Sequence, residues 1–476
     1  MKIQHQLRPF GIKDKLGYLF GDFGNDFTFI LSTMILSKFY TDVMGVSAGV
    51  VGTIMMLARF VDACTDVAMG RICDHSKPTA AGKFKPWLMR MCVPVAIASF
   101  LMYAPGLAGE WVANWSNGTK TAYLAVSYLL WGSFCYTGIN IPYGSMASAV
   151  SADPGDRQSL STFRSMGGML AGMVIGIGLP LIAYEKTPLA DGTVKETLIG
   201  SKVALAAGIF SILAIVCYIL CYKLTLERVR VESDNQQSAS IGQMLSSAFG
   251  NRALISIIAA SVVMLLSQLT MQNMAAYIYP DYYNNATAQS ASTMMMMGGM
   301  LVAAAVAKPL ASKFGKAEVS AVSSLFGGAV TLLTWVIKPA NVWVYYGLQM
   351  VSWLGLGVFS MICWALITDV IDYSELRNGV REDGSVYAMY SFARKLGQAL
   401  AAGLSGWMLE AIGYNSQAAT EGLRQTDAVL DGIFNISTLL PALGFVLLAA
   451  VLWFWYPLHK NQVEANVAAL KVKRGE

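Results

Sequence analysis

Asp62 and Asp66 stand one helical turn apart in the stretch Val51 to Gly70, whose other charged residue is Arg59. The stretch is long enough to cross a bilayer as a helix, and a carboxylate at a membrane-helix centre costs about 2.5–3.5 kcal/mol. At spacing i, i+4 the two side chains leave one face of the helix. Acids at that depth face a protein or water-filled interior and mark an ion or proton path. The structural alternative is an ion pair with Arg59 that joins helices, but one arginine matches only one of two acids. In the first apolar segment, GYLFGDFGNDF sets Asp22 and Asp26 at the same spacing. Asp26 lies deeper and is the better functional candidate, whereas Asp22 reads equally as an interfacial or packing charge.

Polar groups on other segments could meet these acids. YTGINIPYGS carries Tyr136, Thr137, Asn140 and Pro142. Thr137 and Asn140 share a face, and Pro142 is expected to loosen the helix ladder. Hydrogen bonding between helices is the competing role for both polar residues. SVYAMYSFARKLGQALAAG holds Arg394 and Lys395 well inside an apolar window. A cation there would complement the acids, and adjacent helical residues point about 100° apart, so one of the two faces the interior. Gln268, Gln272 and Asn273 are amides able to reach hydroxyls, and Tyr136, Trp353, Trp364, Tyr387 and Tyr390 are aromatics able to stack on a sugar ring. No nucleotide-binding loop, nucleophile elbow or metal cluster is present, which removes support for ATP-driven pumping and for an enzyme.

The elements that must carry these residues follow from composition. The chain has 476 residues, 55% hydrophobic and 13% charged, with a mean hydropathy of +0.50. Apolar runs near 20 residues recur along nearly its whole length, which describes a helical membrane protein, excludes disorder and argues against an ordinary soluble domain. The net charge of +5 gives no reason to expect nucleic acid. The seven cysteines form no CxxC pattern and read as core residues; the three histidines lie in terminal or loop segments. The basic segment MKIQHQLRPFGIKDK leads into a full span, so no cleaved signal peptide is expected.

Twelve spans are expected, near 17–41, 46–70, 86–107, 120–149, 164–184, 200–224, 253–278, 288–311, 318–337, 341–371, 385–413 and 431–457. With a cytoplasmic N-terminus, 24 of the 34 Lys and Arg residues fall in cytoplasmic segments, seven outside and three within spans. That asymmetry places both termini inside. The polar segment 226–252 divides the chain into a first half, 1–225, and a second half, 253–476 with a cytoplasmic tail. GRICDHSKPTAAGKFKP after the second span and KPLASKFGKAEV after the eighth form a weak repeat. Two six-helix halves around a central site describe an all-α membrane protein of the major facilitator fold.

The motifs FYTDVMG (39–45), ARFVDACTD (58–66), GKFKPW (82–87), NIPYGS (140–145), TDVIDYSELRNGVREDG (368–384) and RKLGQA (394–399) resemble the signatures of the glycoside–pentoside–hexuronide:cation symporters. The resemblance runs from the first span through WFWYPL near the C-terminus. It implies that Asp62, Asp66 and Thr137 bind a coupling cation, with Thr65 at the position that influences cation choice. Asp62 and Asp66 are metal ligands only if that cation is Na+. It implies that Asp26 binds sugar and that Lys395, rather than Arg394, joins the acidic cluster. Asn140 stands where the melibiose-transporting relatives have an aspartate, which moves the expectation toward glucuronide-type substrates.

The expected function is therefore uptake of a glycoside, pentoside or glucuronide coupled to H+ or Na+, without a cofactor. Asp26, Asn140, Tyr136, Lys395, Trp364 and Gln272 are expected at the substrate. A charge network of Asp22, Arg59, Arg157, Asp369 and Asp372 is expected beside it. Cytoplasmic loops 71–90, 150–164 and 308–317 are expected to form a latch, with Asp74 paired to nearby lysines and Arg157 to Asp369 or Asp372. Membrane lipid, a monomeric state and the bacterial inner membrane complete the expectation. Two other classes fit the same scaffold: a lysolipid or amphiphile symporter, and a sensor that binds sugar without transporting it.

Overall fold

The computed structural model describes residues 8–188, 194–229, 251–378 and 383–474. Among the described residues twelve long helices follow in chain order. The first six are α1 (Ile12–Lys38), α2 (Ala48–His75), α3 (Lys85–Leu101), α4 (Asn117–Val150), α5 (Pro154–Ala183) and α6 (Gly200–Leu224). The other six are α7 (Arg252–Tyr277), α8 (Ala286–Phe314), α9 (Lys316–Ile337), α10 (Val342–Asn378), α11 (Asp383–Ala411) and α12 (Asp427–Ala450). A thirteenth, α13 (Lys460–Arg474), is polar. Among the described residues nine helices are long and apolar enough to cross a membrane. The other three of the twelve depart for visible reasons. The third is only 17 residues long, the first carries Asp22 and Asp26, and the eleventh carries Arg394 and Lys395.

The ends of these helices are set by polar side chains. Ser47, Asp153, Asn251, Asn285 and Thr426 each accept a backbone N–H of the turn they precede, satisfying donors that the helix leaves open. Asp153 followed by Pro154 starts α5 ten residues earlier than the apolar run alone indicates. The loop expected over 150–164 is thereby reduced to a short turn, a correction with consequences for Arg164. α4 continues through Pro142, which supplies no N–H to the ladder, and it departs further at Leu130–Tyr136, which form a π-helical segment, a distortion that often marks functional sites. Between α5 and α6 the strands β1 (Tyr184–Pro188) and β2 (Val194–Leu198) pair antiparallel, with Lys186 opposite Glu196. No alternation in the sequence announced this hairpin.

The chain divides into two compact units, Met1–Asn235 with Asn415–Arg424, and Gln236–Tyr414 with Gln425–Glu476. In the first, α1 packs on α5 and α6, α3 on α6 and α4, and α2 on α4. In the second, α7 packs on α11 and α12, α9 on α12 and α10, and α8 on α10. The two lists are the same with six added to each label, so one packing plan is used twice. The segment after α11 joins the first unit, where Lys195 Nζ donates to the carbonyl of Leu423 at 2.7 Å.

The loop ends of the first unit are held by two carboxylates, the half-buried Glu227 and the buried Asp14. Glu227 accepts the backbone N–H groups of Lys83, Phe84 and Lys85 at 2.7, 2.9 and 2.7 Å, occupying the open donors at the start of α3. Lys83 Nζ reaches the backbone carbonyl of Asp74 at 3.0 Å, so the expected lysine contact at Asp74 is to the main chain. Asp14 has no exposed surface and binds Arg228 at 2.9 Å and Arg8 at 2.9 Å. Arg228 also donates to the carbonyls of Leu226 at 2.8 Å and Arg8 at 2.8 Å. Arg228→Ala therefore destabilises the first unit by about 3 kcal/mol, because it removes a partner from a buried charge. Thermal unfolding in detergent measures this. Arg228→Lys recovers only part, since lysine lacks the planar fork.

Candidate functional site

The carboxylates of α2 meet hydroxyls of α4. Ser133 Oγ donates to Asp62 Oδ1 at 2.6 Å, and Thr137 Oγ1 donates to Asp66 Oδ1 at 2.8 Å. Each pair is four residues apart on its helix, so two rungs stack along the α2–α4 contact. Gly132 permits the close approach: a Cβ there would lie 3.1 Å from Asp62 Oδ1. Arg59 Nη1 lies 3.6 Å from Asp62 Oδ2. Thr65 turns its hydroxyl to the backbone carbonyl of Asp62 at 3.1 Å, away from the rungs it was expected to join.

A second cluster forms where α1, α4, α5 and α6 converge. Arg164 Nε donates to Asp22 Oδ1 at 2.9 Å, and its guanidinium lies over the Tyr143 ring at 5.3 Å. Asp22 is thus the buried half of an ion pair. One turn after Arg164 on α5 comes Gly168, whose missing side chain leaves room for Asp26; a Cβ there would overlap Asp26 Oδ2 and lie 3.2 Å from Asp22 Oδ2. Asp26 is half-buried, and among the described residues its carboxylate accepts no hydrogen bond. Asn25 Nδ2 donates to Asn140 Oδ1 at 3.3 Å, while Tyr218 donates to Asn25 Oδ1 at 2.8 Å. With its carbonyl so used, the amide nitrogen of Asn140 remains a donor for a ligand.

An aromatic bridge joins the two clusters. Tyr136 stacks on Phe29 with ring centroids 5.6 Å apart, and Arg59 sits 5.0 Å above the other partner of that stack, Phe29. The chain of contacts runs Asp62, Arg59, Phe29, Tyr136, and Tyr136 directly precedes Thr137 of the second rung.

In the second unit Trp364 meets Tyr390 edge to face at 5.1 Å. Arg394 donates to Tyr390 Oη at 3.3 Å and lies 5.9 Å from the Trp364 ring. Arg394 is therefore a cation held against the expected sugar-stacking aromatic; Lys395, next to it on α11, is half-buried. Gln272 is half-buried on α7, beside Asn273, which donates to Ser405 Oγ at 3.2 Å. Trp353 is buried, and the Tyr387 side chain lies outside the described residues, as do 379–382 of the motif around Glu375.

The outer members of the expected charge network are each held within their own unit. Asp369 pairs with Lys316 at 2.6 Å, and Lys316 opens α9 directly after the α8–α9 turn. Arg157 donates Nε to the carbonyl of Ser151 at 2.8 Å. Asp372 is half-buried one turn beyond Asp369. Two site residues escaped the sequence reading. Arg164 was counted among loop charges because α5 was started too late; the Asp-Pro pair at 153–154 was the available signal. Ser133 has no place among the expected site residues, and its spacing of four from Thr137 is the signal the sequence holds for it.

The arrangement gathers carboxylate and hydroxyl oxygens between α2 and α4, and a carboxylate, an amide and an aromatic ring at Asp26, Asn140 and Tyr136. A family model described as MFS/sugar transport protein matches residues 17–460. The glucuronide carrier protein homolog of Escherichia coli (strain K12) is 30% identical over 457 residues, covering 96% of this chain and 94% of that protein. The isoprimeverose transporter of Lactiplantibacillus pentosus is 29% identical, covering 93% and 88%. Among solved structures, a D-xylose-proton symporter superposes with a TM-score of 0.62 at 14% identity, covering 94% of this chain and 97% of that one.

Proposed function

The chain belongs to the MFS/sugar transport protein family, within the glycoside–pentoside–hexuronide:cation symporters, and on that premise we propose that it imports a sugar or glycoside together with H+ or Na+. It has the major facilitator fold and is a multi-pass membrane transporter, not an enzyme. The observation that carries the coupling is the pair of hydroxyl–carboxylate rungs one contact chain away from the Asp26 cluster. Relatives named as a glucuronide carrier homolog and an isoprimeverose transporter support a carbohydrate substrate.

In this reading the cation occupies the Asp62 and Asp66 carboxylates and offsets their charge. Asp26 accepts hydrogen bonds from sugar hydroxyls, Asn140 donates one, and Tyr136 offers its ring face. Arg164 holds Asp22 so that the neighbouring Asp26 remains available. Because coupling is reciprocal, a cation that tightens sugar binding is itself bound more tightly when sugar is present. Alternating access around a midplane site then moves both inward. One charge crossing 100 mV releases about 2.3 kcal/mol, enough for about forty-fold accumulation at 1.4 kcal/mol per factor of ten. The assignment extends to the bacterial inner membrane, both termini in the cytoplasm and a monomer.

Calorimetry of the purified protein against glucuronides, pentosides and neutral glycosides tests the reading. At least one sugar binds, more tightly with Na+ or at lower pH. Binding of a lysolipid with no sugar bound under any condition overturns the substrate class. Sugar binding with no exchange of labelled sugar across vesicles reduces the protein to a sensor.

A further inference from the structure

Arg59 and Arg164 each stand beside an aspartate, at 3.6 and 2.9 Å. Arg394 does not. It lies in α11 between Asp383 and Ala411, about 16 Å from the nearer end at a rise of 1.5 Å per residue, which is near the middle of a span. Arginine at that depth is expensive, and such a group either pairs with an anion of the protein or lies on a substrate path. Among the described residues no carboxylate comes within ion-pair distance of Arg394. Its contacts are the Tyr390 hydroxyl at 3.3 Å and the rings of Trp364 and Tyr390, at 5.9 and 5.8 Å.

These contacts hold the cation in place without neutralising it. Tyr390 is buried, and its hydroxyl also meets Cys363 Sγ at 2.8 Å, which in turn lies 3.5 Å from Ser261 Oγ. Helices α7, α10 and α11 thus each contribute to one polar chain that ends at the guanidinium. One N–H is spent on Tyr390, and the other donors have no acceptor among the described residues. Arg394 is half-buried and Trp364 beside it is 44% exposed, so a ligand can reach both.

We propose that Arg394 receives a carboxylate carried by the sugar, so that this chain selects acidic sugars over their neutral counterparts; the inference rests on the symport reading above. A guanidinium presents a planar fork of donors that matches a carboxylate bidentately. The acids Asp22, Asp26, Asp62 and Asp66 suit hydroxyls or a cation and repel an anion. Arg394 therefore sets charge preference, while Asp26 and Asn140 serve hydroxyls.

The test titrates the full-length protein in detergent, at saturating Na+ and fixed pH, with methyl β-D-glucuronide and methyl β-D-glucoside. The two differ only in a carboxylate for a hydroxymethyl group. The wild type binds the glucuronide at least about tenfold more tightly, the equivalent of about 1.4 kcal/mol. Arg394→Gln, melting as the wild type does, brings the two sugars within about twofold of each other by weakening the glucuronide alone. Arg394→Lys keeps the charge but not the fork, loses about threefold of the preference, and decides the matter if the glutamine variant does not fold. A wild type that favours the glucoside, or a preference unchanged in both variants, overturns the receptor role while the symport reading stands. Equal weakening of both sugars also overturns it, and returns Arg394 to balancing the protein's own acids. Binding of a lysolipid with neither sugar nor a xyloside bound removes the symport reading itself.

Discussion

Asp66→Asn abolishes the cation dependence of sugar binding and with it accumulation against a gradient. The carboxylate accepts the Thr137 hydroxyl at 2.8 Å, and hydrogen bonds to a charged group contribute about 1.5–3 kcal/mol, against about 1 kcal/mol for neutral ones. An amide keeps the shape and the hydrogen bond but offers a cation no charge. Coupling energies between linked sites are typically about 1–3 kcal/mol, or about 5–150-fold in affinity. The expected result is a sugar affinity that no longer changes between zero and saturating cation, where the wild type changes by at least about fivefold. In energised vesicles, labelled sugar reaches the external concentration and stops there. Full cation stimulation in Asp66→Asn would sink the coupling role of this rung. Asp62→Asn tests the other rung, with the added loss of the Arg59 contact at 3.6 Å.

Arg164→Ala is expected to remove sugar binding and to lower stability together. The guanidinium is the ion-pair partner of Asp22 at 2.9 Å, and Asp22 shares the space beside Gly168 with Asp26. Breaking a buried pair costs about 3–5 kcal/mol because the remaining charge is uncompensated. The arginine side chain is 38% exposed against 13% for the aspartate, so solvent screening reduces this to about 1–3 kcal/mol. Repulsion between two adjacent carboxylates then displaces Asp26 from the position in which it meets hydroxyls. Thermal unfolding and calorimetry on Arg164→Ala, Asp22→Asn and the double variant form a cycle that isolates the pair. The double variant regains most of the lost stability. Strict additivity of the two single changes would show that the ion pair contributes nothing. Recovery of sugar affinity in the double variant would confine Arg164 to positioning Asp22, whereas continued loss would place its remaining N–H donors on the sugar.

What was legible in the sequence was local. The apolar windows located all twelve long helices, and the spacing of four within the Asp22–Asp26 and Asp62–Asp66 pairs declared which acids share a face. Misreadings arose where the local signal was polar. Residues 154–163 carry no apolar run, so α5 was begun late and Arg164 was assigned to a loop. Ser133 is one small residue among apolar neighbours, and no property of its own distinguishes a hydrogen-bond partner of Asp62 from a filler.

By itself the sequence determined the helices, the faces their carboxylates share and the family, because each is written in the period of apolar and polar residues or in ordered short motifs. Only the tertiary structure decided the partners. The rungs join residues 71 apart, the Arg164–Asp22 pair spans 142, and the Tyr218–Asn25 contact spans 193. Periodicity fixes the direction in which a side chain leaves its own helix, but which helix lies opposite, and at what height, is set by packing. Gly132 and Gly168 illustrate the point: their role is the space they leave for another chain segment's carboxylate, and an absent side chain announces nothing about its neighbour until the helices meet.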